Sequence, residues 1–419
     1  VLDNGLTLVV APLPHLRTAT LALYVKAGSR YESEADNGIS HFFEHMLFRG
    51  TDAHPSTFDL NLAIEELGGT LDGATHVDYV VYSSMVPRES VLASVELFGE
   101  MVSRPLLDGV ELEQDIIREE ILEGLDDDGN DIDVDDVARR NLFDGHPLGF
   151  KITGTLDTIA AFTKDDLRAH QQRFYGARNL VLCVSGAVDH EVVRPVVERA
   201  FSSLPAGERI SYETPDPRPN AERFVHVHDE GSQTDVRLSY PTFGMRDPRH
   251  PTLRLLERIL DDGLSTRVHR RICDETGLAY DAFASLESYE DCGVLDFGTQ
   301  VAHDKTPQVV EALLELGREL CDEEVERREL ERARRRFLWD LEAMLDEAGA
   351  MVSFYGSTEV LGIRDSLASA VDAVRSVTPS QVRAVAQAVL DPKRAHLTCV
   401  GVRTEERYQA IRAALRVGG

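Results

Sequence analysis

Apolar positions along the chain follow two periods. Stretches 6–11, 18–26, 79–85 and 179–185 are short, rich in Val, Leu and Thr, and alternating or uniformly apolar, which predicts β-strands. Stretches 36–49, 57–67, 89–103, 109–124 and 164–175 repeat their apolar residues every three or four positions, which predicts helices. In the first of these helices Ile39, Phe42, Phe43, Met46 and Leu47 form one stripe that faces a core. Asp36 or Asn37 is placed to cap its start and Gly50 to end it. Segment 204–220 carries Pro205, Gly207, Pro215, Pro217 and Pro219 and reads as a linker near mid-chain. The pattern then resumes, and parts of it repeat. Thr163 and Thr378 open similar helices, and Gly186 and Gly401 follow similar apolar strands, both at an offset of 215 residues.

At 419 residues, 42% of them hydrophobic, the chain exceeds one ordinary core, and two domains are expected: 1–205, a linker at 206–221, and 222–419. A formal charge of −29 disfavours nucleic acid and anionic membrane as partners. No run is long and apolar enough for a membrane span. Five scattered cysteines, odd in number and without a Cys-x-x-Cys pair, argue against a disulfide framework and point to a reducing, cytoplasmic home, or a periplasmic one if a leader has been removed.

The chemistry concentrates at His41-Phe-Phe-Glu44-His45. On a helix the two histidines lie one turn apart on one face, with Glu44 beside them, an arrangement that suits one Zn²⁺ gripped by two neutral imidazoles and a carboxylate ready to take a proton from water. A catalytic zinc needs a third protein ligand. Segment 112–122, a second predicted helix, supplies Glu113 and Glu120, seven residues apart and on one face; Glu120 is the candidate ligand and Glu113 its support.

This inverted His-x-x-Glu-His motif, the Gly68-Gly69 turn and the Ile-Ile-x-Glu-Glu-Ile stretch resemble the pitrilysin, insulysin and mitochondrial processing peptidase family, the inverzincins. Phe48-Arg-Gly-Thr51, His146-Pro-Leu-Gly149, Gly154-Thr155, Tyr175-x-x-x-Asn179 and Gly277-Leu-Ala-Tyr280 extend the likeness over most of the chain, in the manner of the short bacterial and mitochondrial branch. The resemblance implies an α+β fold of two homologous α/β-sandwich domains, each a mostly antiparallel sheet packed with helices. It implies one Zn²⁺ per chain on His41, His45 and Glu120, Glu44 as general base, Glu113 supporting a ligand, and Tyr280 bonding the substrate near the scissile carbonyl. Peptide is expected against an edge strand at Asp72-Gly73, where the family commonly has Asn-Ala. An Arg usually stands seven residues before the Tyr, and here that position is Cys273, with Arg270 and Arg271 out of register. Extending the internal repeat with a two-residue slip sets His41 and His45 against Arg254 and Arg258, and arginine cannot ligate zinc.

The function expected is a zinc endopeptidase acting on extended peptides or unfolded segments in a chamber formed by paired subunits, as a homodimer or with a related subunit. The alternatives are a scaffold subunit without peptidase activity, or a zinc-bearing half that borrows a partner's Arg/Tyr pair. Three weaker features are read as structural. The run 126–131 is a solvated loop and not a calcium site, His226 and His228 lie on an exposed strand face, and 322–345 is a surface helix with i,i+4 ion pairs.

Overall fold

The computed structural model describes residues 1–215, 223–363 and 366–417. Residues 216–221 of the expected linker lie outside the described residues.

Among the described residues, ten strands form two five-stranded sheets. The first contains β1 (Thr7–Pro12), β2 (Thr18–Val25), β3 (Asp72–Thr75), β4 (Val80–Pro87) and β5 (Leu180–Gly186), in the order β1-β5-β2-β4-β3. The second contains β6 (Phe224–Val227), β7 (Thr234–Phe243), β8 (Ala279–Ser288), β9 (Cys292–Val301) and β10 (His396–Val400), in the order β6-β10-β7-β9-β8. Adding five to each strand number converts one order into the other. In each sheet the first strand pairs parallel with the last in sequence, and the remaining pairs are antiparallel. This is the expected α+β architecture of two similar domains with mostly antiparallel sheets. The anchors of the sequence repeat agree with it. Thr163 and Thr378 each complete a capping box, and Gly186 and Gly401 both have positive φ, 122° and 155°.

Two compact units result, and neither is continuous in the chain. The first comprises Val1–Glu123, Phe150–Glu213 and Leu341–Ser366; the second comprises Gly124–Gly149, Thr214–Asp340 and Leu367–Gly419. In the first unit the central strands are apolar on both faces because both are covered: every residue of β5 is buried, as are Ala19–Val25 of β2. One cover is the Ala348–Val360 helix, whose Gly356 lies against the ring of Tyr24. In the second unit the Val134–Leu142 helix packs on β7 and β10, and Asn141 Nδ2 donates to the Leu397 carbonyl at 3.2 Å. The core there joins Val236, Leu238 and Tyr240 of β7 with Leu253, Leu256 and Leu260 of the His250–Leu260 helix.

Three local expectations change. The expected helix 36–49 spans only Ile39–Leu47, with Phe48 as C-cap, so Gly50 lies beyond its end. Strand β6 stops at Val227, and His226 is buried instead of lying on an exposed face; burial first, then Arg403, pushes its imidazole down to about 4. The helix within 322–345 runs Arg327–Ala343 and pairs some of its charges with other elements, as in Arg267–Glu329 and Arg336–Asp262, in place of i,i+4 pairs. The run 126–131 is a turn closed on itself, since Asp126 Oδ1 accepts from the backbone N–H groups of Asp128 and Asn130.

A Cβ added at Gly356 would sit 2.0 Å from Tyr24 Cε2, whereas one added at Gly349 meets only the Glu347 carboxylate at 3.7 Å. Gly356→Ala is therefore expected to destabilise the protein by about 1–3 kcal/mol in chemical denaturation, and Gly349→Ala to be neutral or stabilising by up to about 1 kcal/mol.

Candidate metal centre

The Ile39–Leu47 helix is buried almost all round. Its apolar stripe is buried as expected, and so are His41 and Glu44 on the other side, leaving His45 half-buried. Such a helix must satisfy its first N–H groups internally. Neither Asp36 nor Asn37 caps it. The N-cap is Gly38, with φ 94°; Ile39 N donates to the Asp36 carbonyl at 3.1 Å, and the donors on either side of it go to Glu32. One Glu32 oxygen accepts from Ser40 N at 2.9 Å, and the other accepts from Gly38 N at 2.8 Å and Asn37 Nδ2 at 3.0 Å. Burial pushes the Glu32 carboxyl up, and these hydrogen bonds partly offset that cost. A local cap was expected because Asp and Asn favour that position; the buried carboxylate from six residues upstream displaces it by reaching two helix N–H groups at once.

The second helix, Val110–Glu123, brings Glu113 and Glu120 to the histidine face. His41 Nε2 is 3.6 Å from one Glu120 oxygen, and His45 Nε2 is 4.0 Å from the other. His41, His45 and Glu120 each offer an atom within 4.8 Å of the others, the one such group of metal-binding side chains among the described residues. Glu113 does a different job. Its Oε1 lies 2.9 Å from His45 Nδ1, and its Oε2 accepts from Arg49 Nε. Holding Nδ1 in this way leaves the Nε2 lone pair of His45 directed at Glu120.

The electrostatics favour the ligand form at His41, while His45 and Glu120 are both shifted up. Burial, then neighbouring His45, pushes His41 down to about 3, so it is a neutral imidazole. Burial opposes charge on His45 too, but the Glu113 hydrogen bond and the surrounding carboxylates outweigh it and raise its pKa. For Glu113 burial is likewise outweighed, by His45 and Arg49, and the carboxyl is held below its ordinary range. Burial raises both Glu44 and Glu120.

Glu44 points toward the sheet. Its Oε2 accepts from Thr75 Oγ1 at 3.4 Å, and a Cβ on Gly73 would lie 2.3 Å from its Oε1. Both partners belong to β3, the outer strand of the first sheet, whose Asp72 and Gly73 are exposed. The edge strand, Glu44 and the two histidines are thus gathered in one unit. Tyr280 belongs to the second unit, on β8, where its side chain is 97% exposed. Cys273 is half-buried in the same unit, and the adjacent arginines are engaged, Arg270 with Glu275 and Arg271 with Glu319. The His250–Leu260 helix carries Arg254 and Arg258, which the sequence repeat sets against His41 and His45. Arg258 pairs with Asp340 at 2.6 Å and lies 5.0 Å over the Phe337 ring. Sequence inspection did not single out Glu32, Arg49 or Thr75. Only Arg49 had a signal, its place in the Phe48-Arg-Gly-Thr51 motif.

Residues 8–155 match the insulinase model of peptidase family M16, and residues 161–337 match the domain described as the peptidase M16 inactive domain. A protein of Rickettsia bellii named as an uncharacterized zinc protease is 31% identical over 336 residues, covering 80% of each chain. Another of that description from Streptomyces coelicolor is 29% identical, covering 99% of this chain and 91% of its own. This chain belongs to the insulinase family of peptidases. A protease of Helicobacter pylori shares its fold, with a TM-score of 0.87 at 21% identity over 96% of this chain and 98% of that one.

Removing the buried cap tests how the His helix is held. Glu32→Ala is expected to cost about 1–3 kcal/mol in urea denaturation by leaving buried donors unsatisfied, and Glu32→Gln, which retains one acceptor oxygen, to cost less.

Proposed function

We propose that this protein is a zinc-dependent endopeptidase that cleaves extended peptides or unfolded segments. The observation that carries the reading is the convergence of two imidazoles and a carboxylate from two helices, with Glu44 on the same helix as both imidazoles. The donor set fits zinc: three N/O ligands, one imidazole neutral through burial and the other oriented by a buried carboxylate. His41, His45 and Glu120 would hold the ion, one per chain, with Glu113 aligning His45. When bound, zinc supplies Lewis acidity that polarises a carbonyl and makes water acidic at neutral pH.

The chain's own side chains do the rest. Glu44 takes the proton of the attacking water and delivers it to the leaving amine nitrogen, a transfer suited to a buried carboxylate steadied by Thr75. The outer strand β3 offers its free edge near Asp72 and Gly73 to the main chain of an extended substrate, which selects unfolded chain over folded protein. Tyr280 donates its phenol to the oxyanion as the carbonyl carbon becomes tetrahedral. Paired subunits, identical or related, would enclose this chemistry in a chamber, in the cytoplasm. A second reading places the usual Arg/Tyr pair on the partner subunit. It is favoured by Cys273 at the Arg position and by the engagement of Arg270 and Arg271 with Glu275 and Glu319.

Elemental analysis and cleavage of a quenched fluorescent peptide library test the proposal. Wild type and Glu44→Gln should each hold one zinc per chain, with cleavage slower in the variant by about 10²–10⁴-fold. Protein without zinc would overturn the reading, and zinc without cleavage would move it to the partner-dependent form. Glu113→Gln should lower zinc affinity by about 10–100-fold in chelator competition.

A further inference from the structure

The second unit contains an open groove of about 760 Å³ between segment 265–275 and the Thr306–Asp322 and Arg327–Ala343 helices. Seven arginines and five glutamates line it, an excess of positive charge in a chain of net charge −29. Several of these groups neutralise each other in the walls. Arg267 makes two hydrogen bonds to Glu329, at 2.9 and 2.8 Å, and Arg271 makes two to Glu319, at 2.7 and 2.8 Å. Arg270 pairs with Glu275, and Arg336 pairs with Asp262. Glu331 is engaged by Arg334. Arg328, Arg332 and Arg335 are exposed and have no acidic partner among the described residues.

These three arginines are spaced by four and three positions on one helix, so they share a face. Their Cα atoms are separated along the helix axis by about 6 Å and about 4.5 Å. An extended peptide presents alternate side chains on one side about 6.6–7 Å apart. Carboxylates at every second residue can therefore each reach a guanidinium, whose planar fork suits bidentate pairing. A polyphosphate packs its charges more closely than the arginines are spaced and would crowd them onto one guanidinium. The acidic remainder of the protein does not cancel the local field, because charges farther than about 8 Å are screened at physiological salt.

We propose that this groove binds an acidic segment of extended polypeptide, with alternate carboxylates on Arg328, Arg332 and Arg335. It rests on the peptidase reading only in taking the bound segment to be part of a substrate. Neither a mixed acidic surface nor the zinc centre requires such a site, and it would favour substrates with acidic stretches.

The test is fluorescence anisotropy on zinc-loaded Glu44→Gln protein with a labelled peptide of alternating Glu and Ser, against the same peptide with Gln for Glu. The Glu peptide should bind about tenfold more tightly at low salt, and Arg332→Ala/Arg335→Ala should remove that preference while leaving thermal stability unchanged. Arg328→Ala is an independent second variant and should weaken the Glu peptide alone. Equal binding of the two peptides, or a preference that survives the arginine substitutions, would overturn the proposal. Displacement by inorganic triphosphate at concentrations well below those of unlabelled Glu peptide would also overturn it, in favour of a phosphate ligand. Cleavage plays no part in this measurement, so a wild type that holds zinc but does not cleave would bear on the peptidase reading alone and leave the groove's ligand decided on its own terms.

Discussion

A helix buried on every side cannot leave a polar group to water, and that constraint organises the first unit. The Ile39–Leu47 helix carries two imidazoles and a carboxylate into a region where bulk solvent supplies few partners. Most of these polar groups are met by another part of the chain, with His41 Nδ1 the exception, buried and without a hydrogen-bond partner among the described residues. Glu32 answers the helix N-terminus, Glu113 answers His45, and Thr75 reaches Glu44. The Nε2 atoms of His41 and His45 face Glu120 instead, at 3.6 and 4.0 Å. These separations exceed direct hydrogen bonds and suit donors grouped around a shared cation.

The same architecture without that chemistry occurs in the second unit. Its sheet repeats the strand order of the first, and its His250–Leu260 helix is likewise apolar toward the core. Its Arg254 and Arg258, set against the histidines by the sequence repeat, pair with local acids, Arg254 with Glu257 and Arg258 with Asp262 and Asp340. Glu257, between the two arginines, reaches an outer strand as Glu44 does, accepting from Leu286 N on β8 at 3.3 Å. Packing therefore preserves the contact between a helix carboxylate and an edge strand in both units. Among the described residues, the cluster of candidate metal donors belongs to the first unit alone. Residues 214–337 of the second unit fall within the match to the domain described as inactive, which begins at residue 161 in the first unit.

Charge also differs between the global and the local scale. A net charge of −29 describes the average surface, yet the groove in the second unit is lined by more arginines than glutamates. Guanidinium–carboxylate pairs brace its walls, while Arg328, Arg332 and Arg335 on the Arg327–Ala343 helix stand exposed.

Much of this was legible in the sequence, because periodicity and the His-x-x-Glu-His spacing are local properties. A 3.6-residue repeat sets which side chains share a helix face, so His41, Glu44 and His45 could be grouped, and Glu113 with Glu120, before any contact was known. The repeat of Thr163 at Thr378 and of Gly186 at Gly401 likewise reported duplicated elements, since capping boxes and positive-φ glycines carry their own residue requirements. Other features depended on chain segments distant in sequence. The choice of Glu32 over Asp36 or Asn37 at the helix start, the bond of Glu113 to Arg49, the closeness of Gly73 to Glu44, and the burial of His226 each depend on which segments pack together. Sequence determined the periodic elements, their duplication and the donor-bearing faces, because those follow from spacing along one helix or strand. Tertiary structure decided how those faces are completed and which polar groups lose water, because burial is a property of packed elements and not of any one of them.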